Sequence, residues 1–82
     1  MDYIIKSPNQ LSISLKNARK EAGLSQVSAA KDFGILQKTI SLLENDPSKA
    51  TIDSLFKLLA AIGYDMVLTP RSTDTTEWKE EW

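Results

Sequence analysis

Apolar and polar positions along this chain fall into runs whose spacing predicts helices for most of its length. Leu11, Leu15, Ala18 and Ala22 lie at i, i+4, i+7 and i+11, a single stripe at the helical period. Ser7-Pro8-Asn9-Gln10 opens this helix: Ser7 can cap it, Pro8 suits the first helical position and Gln10 completes a capping box. Gly23 supplies a left-handed stop. Ser25 then caps a short second helix from Gln26 to about Phe33, ended by Gly34. A third helix, Gln37 to Glu44, turns Ile40 and Leu43 inward and leaves Gln37, Lys38, Ser41 and Leu42 elsewhere on its surface. Asn45-Asp46-Pro47-Ser48 reads as a loop from its turn chemistry. Thr51 caps a fourth helix, ended by Gly63, whose Ile52, Leu55, Phe56, Leu59 and Ile62 predict a wide apolar face with Leu58 beside it.

The pattern then changes. Tyr64-Asp65-Met66-Val67-Leu68-Thr69 is a short β-prone run closed by Pro70, which an all-helical bundle does not account for. A lone strand needs a partner, and two are available: Tyr3-Ile4-Ile5, or the same strand of a second copy. The second is preferred. A chain of 82 residues is only marginally stabilised by its own core, and a dimer buries more apolar surface. Residues 72–82 are polar and acidic with no periodic apolar face, which predicts a flexible tail. The expected organisation is an arm at 1–6, a helical domain at 7–63, a dimerisation strand at 64–70 and a tail at 71–82.

Composition narrows the chemistry. The chain has no Cys and no His, which excludes disulfides, thiol nucleophiles, a structural zinc and imidazole acid–base catalysis. Paired carboxylates, a nucleophile with a base and a glycine-rich phosphate loop are also missing at workable spacings, so neither an enzyme nor a cofactor is expected. No apolar run approaches the roughly 20 residues that span a bilayer, and Met1-Asp2-Tyr3 lacks the basic start of a signal peptide. The expected compartment is the cytoplasm. The formal net charge of -1 looks unfavourable for nucleic acid, but its distribution matters more. Between Gln10 and Ala50 there are six basic residues against four acidic ones, while from Pro70 to Trp82 there are two against four. Backbone amides at helix starts can add phosphate contacts to such a modest excess.

Two short helices joined at a glycine, the second with an exposed polar face, can set a recognition helix in the major groove of DNA. The unit here is Leu24 to Asn45. Gly23-Leu24-Ser25-Gln26, Phe33-Gly34-Ile35, Lys38-Thr39-Ile40-Ser41, Leu43-Glu44-Asn45 and Thr51-Ile52-Asp53-Ser54-Leu55 together resemble the phage-repressor (Xre/Cro) helix-turn-helix class. Within that class, Ser7-Pro8, Gln10-Leu11, the Glu44-Asn45-Asp46-Pro47 turn, the helix and strand from Ile62 to Leu68 and the acidic ending Glu81-Trp82 resemble HipB-type antitoxins. Those are the repressor subunits paired with HipA-type kinase toxins. The resemblance implies a mainly α, lambda-repressor-like helix-turn-helix bundle of four to five helices, with a short C-terminal strand pairing across a dimer.

It also implies roles for particular residues. Gln26 stands where the family's helix-opening Gln contacts a phosphate, with the Ser25 and Gln26 backbone N–H groups aimed at the anion. For Ser25, capping alone is a sufficient role, at about 1 kcal/mol. Gln37, Lys38 and Ser41 match positions that reach base edges. Gln suits adenine N6/N7 and Lys suits guanine O6/N7, whereas a solvated helix face is the plainer reading of the same residues. Leu42 either touches a thymine methyl or is half-buried. Thr39, Asn45 and Lys49 match phosphate or backbone contacts, and Arg19 and Glu44 match a buried ion pair that belongs to the fold. Two departures stand out: Leu36 occupies a position where a capping Ser or Thr, or a Lys in near relatives, is expected, and Ala29 replaces a large aliphatic residue, so that packing there is either looser or filled by Val27 and Phe33.

The implied function is a cytoplasmic, nucleoid-associated homodimer. It would repress its own operon at an inverted-repeat operator in double-stranded DNA and neutralise a HipA-type serine/threonine kinase toxin, single-chain or split. No membrane or small-molecule partner is implied. Trp78 and Trp82 are four apart, so a helix formed on binding would present both rings to the toxin, while a tail without specific contacts is the alternative. A regulator without a toxin, or an interaction module that no longer binds DNA, would carry many of the same motifs.

Overall fold

Hydroxyl caps and left-handed turns cut the chain into helices close to where the sequence punctuates it. In the computed structural model, which describes residues 2–71, the order is α1 (Pro8–Glu21), α2 (Gln26–Phe33), α3 (Gln37–Asn45), a 3-10 turn (Pro47–Lys49) and α4 (Ile52–Ile62). Ser7 Oγ accepts the Gln10 N–H at 3.2 Å. The Gln10 side chain accepts the N–H of Lys6 rather than that of Ser7, so the reciprocal half of the expected box falls one residue early. Gly23 lies at φ +77, and the Leu24 N–H returns to the Arg19 carbonyl at 3.1 Å, closing α1 with a Schellman turn. Ser25 Oγ accepts the Ser28 N–H while Ser28 Oγ accepts the Ser25 N–H, a capping box built from two serines. Thr51 Oγ1 accepts the Ser54 N–H at 3.1 Å and opens α4.

Leu36 has the extended backbone of a cap residue but no side-chain bond to give, so α3 begins uncapped, as the sequence implies. The expected loop after it is tighter than its turn residues suggest. Helix α3 continues to Asn45, and residues 47–49 close a single 3-10 turn.

The core is formed by Leu15, Ala18, Ala29, Ala30, Ile35, Ile40, Leu43, Leu55, Leu58, Leu59 and Ile62. Helix α2 packs on α4, α1 on α3, and α2 on α3, so α3 is held from two sides. The inward stripe of α4 is Leu55, Leu58, Leu59 and Ile62, with Leu58 completely buried. Ile52 and Phe56, expected on that face, lie on its flank and remain 69% and 50% exposed. Periodicity gives the width of an apolar face, while the neighbouring helices decide how much of it is covered. For the same reason Val27 and Phe33 are exposed and fill nothing beside Ala29, which is itself fully buried. Ala22, at the end of the α1 stripe, is exposed where the chain turns away.

Beyond Gly63 the chain runs on as an extended segment, and among the described residues it forms no β-ladder. Pairing with Tyr3-Ile4-Ile5 is therefore absent within one chain. The two segments meet instead through their tyrosines, with ring centroids of Tyr3 and Tyr64 6.0 Å apart. Met66, Val67 and Leu68 are left exposed, Leu68 to 92%. Among the described residues no helix is long and apolar enough to cross a membrane. The tail with Trp78 and Trp82 lies outside the described residues.

Candidate nucleic-acid interface

Helix α3 has two sides with different duties. Ile40, Leu43 and Glu44 face inward and are buried. Gln37 and Lys38 are exposed, and Thr39, Ser41 and Leu42 are half-buried. For Leu42 the burial means that any contact with a thymine methyl would use only part of the side chain.

The inward side is fixed by one carboxylate. Arg19 of α1 donates from Nε to Glu44 Oε2 at 2.7 Å and from Nη2 to Glu44 Oε1 at 3.0 Å, a bidentate pair. A third donor, Nη1, reaches the Leu24 carbonyl at 2.8 Å and ties the pair to the turn before α2. Both side chains are nearly or fully buried, and hydrogen bonding to Glu44 raises the Arg19 pKa, against the opposing effect of burial. The guanidinium is therefore permanently charged and the pair is a structural bolt between α1 and α3.

The same carboxylate extends toward the exposed side. Glu44 Oε1 also accepts from Gln26 Nε2 at 3.2 Å, which turns the Gln26 carbonyl oxygen outward to accept from Gln37 Nε2 at 3.4 Å. A relay thus runs from Arg19 through Glu44 and Gln26 to Gln37. It leaves Gln37 with a second N–H and a carbonyl oxygen, the donor and acceptor that an adenine edge requires. Lys38 makes no ion pair among the described residues, so its ammonium is available to a base or a phosphate.

The other expected contacts divide. Ser25 is occupied in its capping box with Ser28, and its backbone still opens α2. Gln26 is half-buried with its side chain engaged in the relay, so the expected phosphate contact falls to its backbone N–H at the start of α2. Asn45 folds back on its own helix, donating to the Ser41 carbonyl at 2.8 Å and to Ser41 Oγ at 3.2 Å. Lys49 is exposed, with only a loose 3.8 Å pairing to Asp46, which costs little to break. Ser25, Gln26, Gln37 and Lys38 are thus brought together where α2 and α3 begin. Asn45 lies roughly 12 Å from Gln37 along the α3 axis, and Lys49 follows in the 3-10 turn beyond it. Sequence reasoning missed Ser28 and the relay. The seven-residue step from Gln37 to Glu44 puts both on one stripe of α3, two turns apart, but which residue of α2 meets that stripe depends on how the helices cross.

The helix-turn-helix family pattern matches residues 15–68. Antitoxin HipB of Escherichia coli strain K12 is 38% identical, over 90% of this chain and 93% of that protein. A solved complex of a HipB variant with an O2 20mer superposes with a TM-score of 0.82 at 36% identity, covering 88% of this chain and all of that one. The HipB chain of a HipA-HipB-O2-O3 complex gives 0.79 at 38% identity, covering 84% of this chain and 97% of that one. With the cap, turn and relay residues of one helix-turn-helix unit in place and this likeness running over nearly the whole length, the chain belongs to the helix-turn-helix family and, within it, to the HipB-type antitoxins.

Proposed function

We propose that this chain is the antitoxin of a type II toxin–antitoxin module: a dimeric DNA-binding repressor that autoregulates its operon and binds a HipA-type serine/threonine kinase toxin. The observation that carries the DNA-reading half is the relay that holds Gln37 at the start of α3 with free donor and acceptor capacity beside the unpaired Lys38. The solved relatives are HipB in complex with operator DNA and with HipA, which supports both partners. Family membership makes it a regulator rather than an enzyme, and its place of work is the cytoplasm, on the nucleoid.

Gln37, Lys38 and Ser41 read base edges, with Leu42 at the margin, while Ser25, Gln26, Thr39, Asn45 and Lys49 face phosphates. Residues 7–63 form the DNA-binding domain, 1–6 its arm, 64–70 the dimerisation strand through Tyr64, Met66, Val67 and Leu68, and 71–82 the tail that offers Trp78 and Trp82 to the toxin. Two copies of α3 would enter successive major grooves about one helical turn apart, so the operator is an inverted repeat. A mobility-shift titration with DNA from upstream of the chain's own gene tests this reading. Gln37→Ala and Lys38→Ala should each weaken binding about tenfold or more, within the range for a good base contact. Wild-type affinity in both variants would remove the assignment. Co-expression with the neighbouring kinase should yield a complex, and loss of that complex on removing residues 72–82 would assign the tail.

A further inference from the structure

The groove between the N-terminal arm and the segment after α4 has a volume of about 800 Å³ and mostly apolar walls. Ile4 and Ile5 line one side, Met66, Val67 and Leu68 the other, and all five are exposed in the single chain. One feature joins the two walls. Tyr3 Oη donates to Glu21 Oε1 at 3.2 Å and Tyr64 Oη donates to the same oxygen at 3.5 Å, with the two rings tilted against each other. Both rings also pack on the edge of the core.

We infer that Glu21, Tyr3 and Tyr64 form a clasp that sets the direction in which residues 65–70 leave the body, and so act as positioning residues for dimerisation and, through it, for operator binding. This rests on the dimeric repressor reading above. Ordering a free extended segment costs conformational entropy at every residue, and a segment already aimed loses less on pairing. Residues 65–70 have no ladder partner among the described residues, and their direction is set where they begin, at Tyr64, immediately after the left-handed turn at Gly63. Besides the packing of the Tyr3 ring, the described part of the arm is tied near Lys6, whose N–H donates to the Gln10 side chain. The clasp fixes the Tyr3 end of the arm and the first residue of the segment to one carboxylate at the end of α1. The occupant it prepares the groove for is the corresponding segment of a second copy, whose exposed Met66, Val67 and Leu68 match the apolar walls.

Glu21 allows a clean test because its charge sits at a helix C-terminus, where the helix dipole disfavours it. Glu21→Ala therefore removes the acceptor without weakening α1, and Tyr3→Phe with Tyr64→Phe removes both donors while keeping both rings. Full-length wild type, Glu21→Ala and the double Phe variant would be followed by sedimentation equilibrium for the dimer dissociation constant and by mobility shift for operator affinity. Thermal melting at low concentration would monitor the fold. The expected result is dimerisation weakened roughly threefold to tenfold in both variants, as for loss of exposed hydrogen bonds to a charged group, with operator affinity falling in parallel and the low-concentration melt unchanged. Variants that dimerise within twofold of wild type would overturn the clasp alone. A wild-type chain that stays monomeric and does not bind an inverted repeat would overturn the dimeric reading, and the clasp with it.

Discussion

Gln26 is the residue to which the structure adds most. Its place at the start of α2 points its backbone N–H to a phosphate, and its side-chain amide is held between Glu44 and Gln37 besides. Removing it should therefore damage recognition through Gln37. Gln26→Ala is expected to cost about 1 to 3 kcal/mol of operator binding, comparable to a base contact, and a double-mutant cycle with Gln37→Ala should show clear non-additivity. Additive losses in a mobility shift would separate the two side chains. Glu44 carries the larger structural consequence. Glu44→Ala would leave the Arg19 guanidinium buried without its partner, and a loss of about 3 to 5 kcal/mol of stability is expected in urea unfolding. The pair itself was legible because a family pattern named it. The link from Glu44 to Gln26 was not, because it depends on where two helices cross, and no spacing along the chain reports a crossing.

At the level of elements, the punctuation read most faithfully. Ser7, Ser25 and Thr51 all cap, and Gly23, Gly34 and Gly63 all take positive φ, because these residues act on their own backbone within a few positions. The reading of faces was less faithful. Ile52, Phe56, Val27 and Phe33 are apolar and helical in spacing but exposed, since coverage is decided by neighbours that lie far away in sequence. The β-prone run after Gly63 has the composition of a strand and forms no ladder among the described residues, as expected of an edge whose favoured partner is a second copy. Helix α3 presents a testable defect. Leu36 already has φ -74 and ψ 141, suited to a cap, and is 66% exposed, so Leu36→Ser replaces a side chain that does little with one that can accept an N–H. The variant should be more stable by about 0.5 to 1 kcal/mol, seen as a raised melting temperature. An unchanged or lower midpoint would show that α3 draws no benefit from a capped start.

For the whole molecule, size is the governing fact. Among the described residues eleven buried apolar side chains make a small core, and the exposed run at residues 66–68 together with Ile4 and Ile5 adds apolar surface that a second copy would cover. Folding and association should then be linked. Raising the protein concentration tenfold should lift the melting temperature by roughly 3 to 6 °C if the dimer is the stable form, and a chain cut after Gly63 should lose that dependence. A concentration-independent midpoint for the full chain would show that the domain stands alone.

The single carboxylate of Glu44 that gathers α1, α2 and α3 lies on the side of α3 away from Lys38. Residues that choose an operator and residues that keep the helix seated are thus largely separate. Lys38 can change through mutation while the scaffold stays intact, and a duplicated copy of this gene could acquire a new operator by substitutions at the exposed start of one helix. Sibling modules sharing a cell would then be insulated from one another at little risk to folding.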